Sequence, residues 1–280
     1  MTAALLVLIA FAVAAVAASW MYFRRFEMTR PPIGVINLVD VVVTMVFVIL
    51  IPLLYILLPT WFAVGFLSIS TLSLLYFTWE PVLPARWAIW LASLVMIVAD
   101  VAAAWRYGTE NSAFFVVNNL VLVVVVVGGA NLWAQSGMRA RDAAIMGAAL
   151  TLFDFVATAL LPVMDDMFDQ LVGLPFMPIF AWSIDDGGGW MGMGLGDVLL
   201  AAVFPLVMHK AYGREAALTA MALALVAIAA ILTSGTMGLL VSTFPVMVVL
   251  GPLMVIQYLF WHWRRGGERT TWQYLQAERR

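Results

Sequence analysis

The sequence predicts an all-α polytopic membrane protein of about nine transmembrane helices, with its N-terminus outside and its C-terminus in the cytoplasm. Three observations predict it. The 280 residues are 65% hydrophobic and only 11% charged, with a mean hydropathy of +1.03, far from the composition of a soluble domain. Apolar runs of about 20 residues, the length that crosses a hydrocarbon layer of about 30 Å, recur along the chain. The basic residues fall almost entirely in alternate connections between those runs.

The first run, 3–22, has no cationic residue ahead of it and continues to Arg24 and Arg25, so it reads as a retained span. The small-residue pattern Ala15-Val16-Ala17 leaves a cleaved leader as the alternative. The second and third runs, 35–58 and 61–78, are divided at Pro59-Thr60, because the stretch from Val35 to Thr78 is too long for one helix. Charge, proline and glycine clusters set the remaining boundaries, giving spans at 87–105, 113–134, 143–164, 188–208, 216–234 and 237–262. Residues 1–265 thus read as a single nine-helix membrane domain without internal repeat, and 266–280 as a polar cytoplasmic tail.

If nine spans alternate sides, one side receives Arg24, Arg25, Arg30, Arg86, Arg139, Arg141, Lys210, Arg214, Arg264, Arg265, Arg269, Arg279 and Arg280, which is 13 of the 14 basic residues. Arg106 alone falls on the other. The positive-inside rule makes the first side cytoplasmic.

Composition also excludes chemistry. There is no cysteine, hence no disulfide, thiolate nucleophile, Cys-ligated zinc or Fe–S cluster. The two histidines, His209 and His262, stand beside basic residues, and neither a metal site nor a cofactor is expected. A formal net charge of −2 argues against a nucleic-acid partner. Short loops, no Asn-x-Ser/Thr acceptor and no large ectodomain point to a prokaryotic plasma membrane.

The connection between spans six and seven carries Asp165, Asp166, Asp169, Asp185 and Asp186 with no basic residue. Its middle, Leu171 to Ile184, is apolar and aromatic and contains Pro175 and Pro178, so it is expected to rest at the interface or re-enter the bilayer. Gly187-Gly188-Gly189 then forms a flexible joint into span seven.

Acidic residues within spans need a reason, since each costs a few kcal/mol at the bilayer centre. Asp40 and Asp100 lie near span ends and read as hydrated or hydrogen-bonded structural residues, and Asn118 and Asn119 as links between helices. Asp154 and Asp197 are different. Asp154 lies 11 residues before Asp165 and Asp197 lies 10 after Gly187, both about half a bilayer deep at 1.5 Å per residue. On consecutive antiparallel spans the two carboxyl groups face one another. In a low-dielectric site such a pair holds one proton between them, the arrangement of an aspartyl dyad that activates water. The run Gly192-Met193-Gly194-Leu195-Gly196 ahead of Asp197 lets another backbone approach the acid.

Gly194-Leu195-Gly196-Asp197 resembles the GxGD motif of the presenilin and signal peptide peptidase family, and Phe153-Asp154 resembles that family's Tyr-Asp motif. Pro245-Val246-Met247 stands where the family has Pro-Ala-Leu. The resemblance implies a presenilin-like nine-span arrangement with Asp154 and Asp197 as catalytic residues. It also implies that Phe153, Gly194, Leu195, Gly196, Pro245, Val246 and Met247 line the substrate site. The substrate would be a transmembrane peptide, unwound and paired in β-fashion near the GxGD motif. Phe153 departs from the family in lacking a hydroxyl, and Val246-Met247 keeps only the apolar character. The N-out topology is similar to that of the signal peptide peptidase branch.

Two alternatives stand beside this reading. A prepilin-peptidase-like GxGD protease would place its acids near the cytoplasmic face, with Asp154 followed by Leu161-Pro162. A proton-coupled transporter or channel would use Asp40, Asp100, Asp154 and Asp197 as a relay.

Overall fold

A computed structural model describes residues 2–28, 36, 38–161, 163–184, 189–240, 244–270 and 272–273. Asp185, Asp186, Gly187 and Gly188 of the acidic connection, and Arg30, Arg279 and Arg280, lie outside them.

The chain is mostly helical. Five long helices come first: α1 (Thr2–Arg25), α2 (Leu38–Leu57), α3 (Thr60–Trp79), α4 (Arg86–Tyr107) and α5 (Ser112–Gln135). Then α6 (Ala140–Asp154) runs into a π-turn (Phe155–Leu160), followed by the short α7 (Val163–Leu171). A hairpin of β1 (Ile179–Ser183) and β2 (Trp190–Gly194) leads into α8 (Leu195–Tyr212), α9 (Arg214–Thr236) and α10 (Met247–Arg265). Among the described residues seven helices, α1 to α5, α8 and α9, are long and apolar enough to cross a membrane, the character of a multi-pass membrane protein.

Helix ends follow local chemistry. The Asn111 side chain caps α5 by accepting the Ala113 N–H at 2.8 Å, and Lys210 closes the other end, donating from Nζ to the Ala134 and Met138 carbonyls at 2.5 and 2.9 Å. The sequence reading counted Lys210 among the cytoplasmic loop charges. It lies instead in the last turn of α8, buried, where its ammonium meets carbonyls at the C-terminal end of α5, the end of a helix that favours a cation.

The core is built on α5 and α8, whose apolar stretches are 67% and 72% buried against 22% for α2, α3 and α4. Val126, Ala130 and Ala134 of α5 meet Val198, Ala202 and Val203 of α8, with α1 and α9 packed around them. Small side chains permit this close contact, which is how helices associate where lipid removes the hydrophobic drive between them. The outward faces of α2, α3 and α4 stay apolar, with Val39, Trp61, Ile69 and Val98 exposed.

Three expectations are corrected. The span read as 188–208 is helical only from Leu195, because Trp190–Gly194 pairs with Ile179–Ser183 and its backbone groups are satisfied by the partner strand. The span read as 143–164 leaves α-helical geometry after Asp154, and Leu161 is extended (φ −127°, ψ 145°) ahead of Pro162, as residues before proline are. The span read from 237 begins as a helix only at Met247, so Pro245 flanks the helix start and does not kink an interior.

Candidate active site

Asp154 is the last residue of α6. Its part-buried carboxylate accepts two hydrogen bonds: Oδ1 from the Thr158 hydroxyl at 3.1 Å, and Oδ2 from the Met247 backbone N–H at 2.9 Å. Met247 opens α10, so Asp154 sits at a helix N-terminus, where unpaired amides favour a negative charge.

That contact depends on how closely α6 and α10 approach. A Cβ on Gly251 would collide with Thr151 Oγ1 and the Gly147 carbonyl, so only glycine lets the two backbones meet here. Thr151 Oγ1 lies 2.8 Å from Gly147 O of its own helix and 3.0 Å from Met247 O across the contact, its one hydrogen shared between the two carbonyls. The first turn of α10 is thereby gripped at both its carbonyl and its amide.

Asp197 is the third residue of α8, with Gly194 as N-cap, and its carboxyl group accepts the Gly194 N–H. This is the acid half of a capping box. The helical depth count for Asp197 therefore does not describe the molecule: a strand, not ten helical residues, precedes the acid. Asp154 nonetheless lies within electrostatic reach of Asp197, since α6 and α8 pack together.

The hairpin delivers Asp197 to this point. Ile184 N–H bonds Gly189 O and Leu195 N–H bonds Pro178 O, both at 2.9 Å, so Trp182–Met191 and Phe180–Met193 are the hydrogen-bonded rungs between them. Ile179, Ala181 and Ser183 then point their backbone groups away from β2. Asn118 Nδ2 reaches Met177 O (3.1 Å) and Ile179 O (3.3 Å), while Asn119 pairs with Ala181 in both directions, donating to its carbonyl at 2.9 Å and accepting its N–H at 3.1 Å. The two asparagines thus stand in for a third strand. They link α5 to β1 and not helix to helix, the partner the sequence suggested. On the other edge, Trp190 and Gly192 turn their N–H and C=O groups away from β1. Gly192 has no room for a side chain, since a Cβ there would sit 2.8 Å from Ile179 Cγ2 and 2.9 Å from the Phe180 carbonyl.

Of the residues singled out in the sequence, Asp154 and Met247 are joined by a hydrogen bond, and Asp197, beside Gly194, feels the charge of Asp154. Phe153 precedes Asp154 on α6 and is part-buried, Leu195 packs into the core, Gly196 is exposed, and Pro245 and Val246 lead into α10. Asp40 is exposed in the first turn of α2. Asp100 is fully buried and accepts the Phe176 N–H at 2.7 Å, which pins the turn before β1, where Phe176 takes a positive φ of 59°. Among the described residues no three His, Asp or Glu side chains gather as a metal site. Thr151, Thr158 and Gly251 carry no signal in the sequence, because Thr158 meets the acid only through the π-turn, and Thr151 and Gly251 matter only where α6 and α10 pack.

No family model matches the chain, and no curated protein matches it.

Proposed function

We propose that this chain is an intramembrane aspartyl protease similar to the presenilin and signal peptide peptidase family, hydrolysing peptide bonds in transmembrane helices or signal-peptide remnants. In this reading α6 with its π-turn and α10 join the seven long helices to make nine spans, N-terminus outside. The observation that carries it is the hydrogen bond from Met247 to Asp154, with Asp197 in reach. Met247, from the segment that bears the Pro245 resemblance, meets Asp154 directly, and Asp197, from the GxGD resemblance, is near enough to feel that acid's charge.

The chemistry follows from the pair. One carboxylate takes a proton from water as the water oxygen attacks the peptide carbonyl, and the other, protonated, polarises that carbonyl. A helical substrate must first unwind, and its freed backbone groups need partners where water is scarce. The outward edge of β2, at Trp190 and Gly192, offers them by strand addition a few residues from Asp197. The asparagines occupy the opposite edge, which favours β2 as the docking edge.

Purified protein incubated with a labelled transmembrane peptide tests the proposal. Cleavage is expected from the wild type, with a loss of about a hundredfold or more in Asp154→Ala and in Asp197→Ala. Cleavage that survives either substitution, or proton-coupled transport without cleavage, overturns it.

A further inference from the structure

One donor to Asp154 has no counterpart in the motifs. Four helical hydroxyls of this chain return to the backbone carbonyl four residues back: Ser19 to Ala15, Ser68 to Val64, Thr78 to Leu74 and Thr233 to Ala229. Thr158 stands four residues after Asp154 yet donates to the Asp154 side chain at 3.1 Å. The π-turn accounts for the difference. Its wider repeat, seen in the Leu161 N–H to Val156 O bond of 2.9 Å, turns residue 158 away from the Asp154 carbonyl and toward the carboxylate. Phe153 brings no hydroxyl to the site, and Thr158 supplies one.

We infer that Thr158 is a positioning residue that, with the Met247 amide, holds Asp154 as the ionised general base and leaves the shared proton to Asp197. Asp154 accepts a donor on each oxygen, and hydrogen bonds received by a carboxylate favour its ionised form over the protonated one. Asp197 accepts from the Gly194 N–H, which leaves an oxygen to carry the proton. The assignment rests on the protease reading. Water then loses a proton to Asp154 as its oxygen bonds to the carbonyl carbon, while Asp197 gives its proton to the carbonyl oxygen. In the second step Asp154 passes its proton to the departing nitrogen, the C–N bond breaks, and one gem-diol hydroxyl returns its proton to Asp197 as C=O re-forms. Acid, amine and the starting protonation state result.

The test uses the full-length protein in liposomes and compares wild type, Thr158→Val and Thr158→Ser. In Thr158→Val the acidic limb of the kcat/KM profile is expected to move about one unit to higher pH, a roughly tenfold loss on the acidic side, because a donor to the ionised form is gone. Thr158→Ser keeps the hydroxyl and is expected to overlay the wild type. Thr158→Val overlaying the wild type, or Thr158→Ser shifting as far as Thr158→Val, overturns the assignment. Carboxylate infrared spectra need no turnover: Thr158→Val is expected to move the band that Asp154→Asn removes and not the one that Asp197→Asn removes. An unmoved Asp154 band overturns the role of Thr158 whether or not the protein cleaves. A responsive band in a wild type that cleaves nothing overturns the protease reading instead.

Discussion

The backbone N–H of Met247 donates to Oδ2 of Asp154 across 93 residues of chain, so the first turn of α10 and the last residue of α6 form one unit. Whatever moves α10 along α6 moves a donor on or off this carboxylate. The stability of the fold and the proposed activity are therefore linked at the α6–α10 contact.

Gly251→Val drives side-chain atoms into Thr151 and the Gly147 backbone. Overpacking of this kind costs about 1–3 kcal/mol. A lower unfolding midpoint is expected together with a larger loss of cleavage than the stability loss explains, because Met247 is pushed off Asp154. Thermal melts and peptide cleavage on the same preparation check it; an unchanged midpoint would show that the helices are not in contact there.

Asn119→Leu leaves the Ala181 N–H and C=O without their partner in a buried site. Orphaned buried groups cost about 1–3 kcal/mol each. Hydrogen exchange at the Ala181 amide is expected to accelerate, while exchange in the middle of α8 stays slow. Equal protection of Ala181 in both proteins would mean that the asparagine does not hold β1.

Lys210→Met removes the ammonium that bonds the Ala134 carbonyl in the last turn of α5 and the Met138 carbonyl just beyond it. About 2 kcal/mol of stability is expected to go, read from the denaturation midpoint, with the Asp154 and Asp197 chemistry retained at temperatures where the variant is folded. A variant as stable as the wild type would show that other groups cap α5.

The proposed topology has its own check, made clean by the absence of cysteine from the chain. Gln170→Cys, at an exposed position of α7, is expected to react with a membrane-impermeant thiol reagent added outside, and Arg269→Cys only after permeabilisation. The reverse pattern would favour a prepilin-peptidase-like orientation.

The helices were legible where hydropathy changes sharply. The run 113–134 became Ser112–Gln135 and 87–105 became Arg86–Tyr107, because charged and polar residues leave the lipid at both ends. The hairpin was not. Trp190-Met191-Gly192-Met193-Gly194 does carry a twofold alternation, but its apolar character continues into α8, so hydropathy alone shows no break at Leu195. The late start of α10 escaped for the same reason: Pro245 marks a helix start or a kink equally well until the partner of the following amide is known.

Residue types and their order were enough to establish the solvent of this protein, most of its helices, and that Asp154 and Asp197 are anomalies in need of a purpose. Transfer free energy supports such conclusions because it depends on what a segment is made of and hardly on what it touches. That the Met247 amide meets Asp154 followed from a contact between segments distant in the chain, permitted by Gly251, and that Thr158 meets it followed from the π-turn. Hydrogen bonds depend on distance and angle, and no property of a single segment contains those.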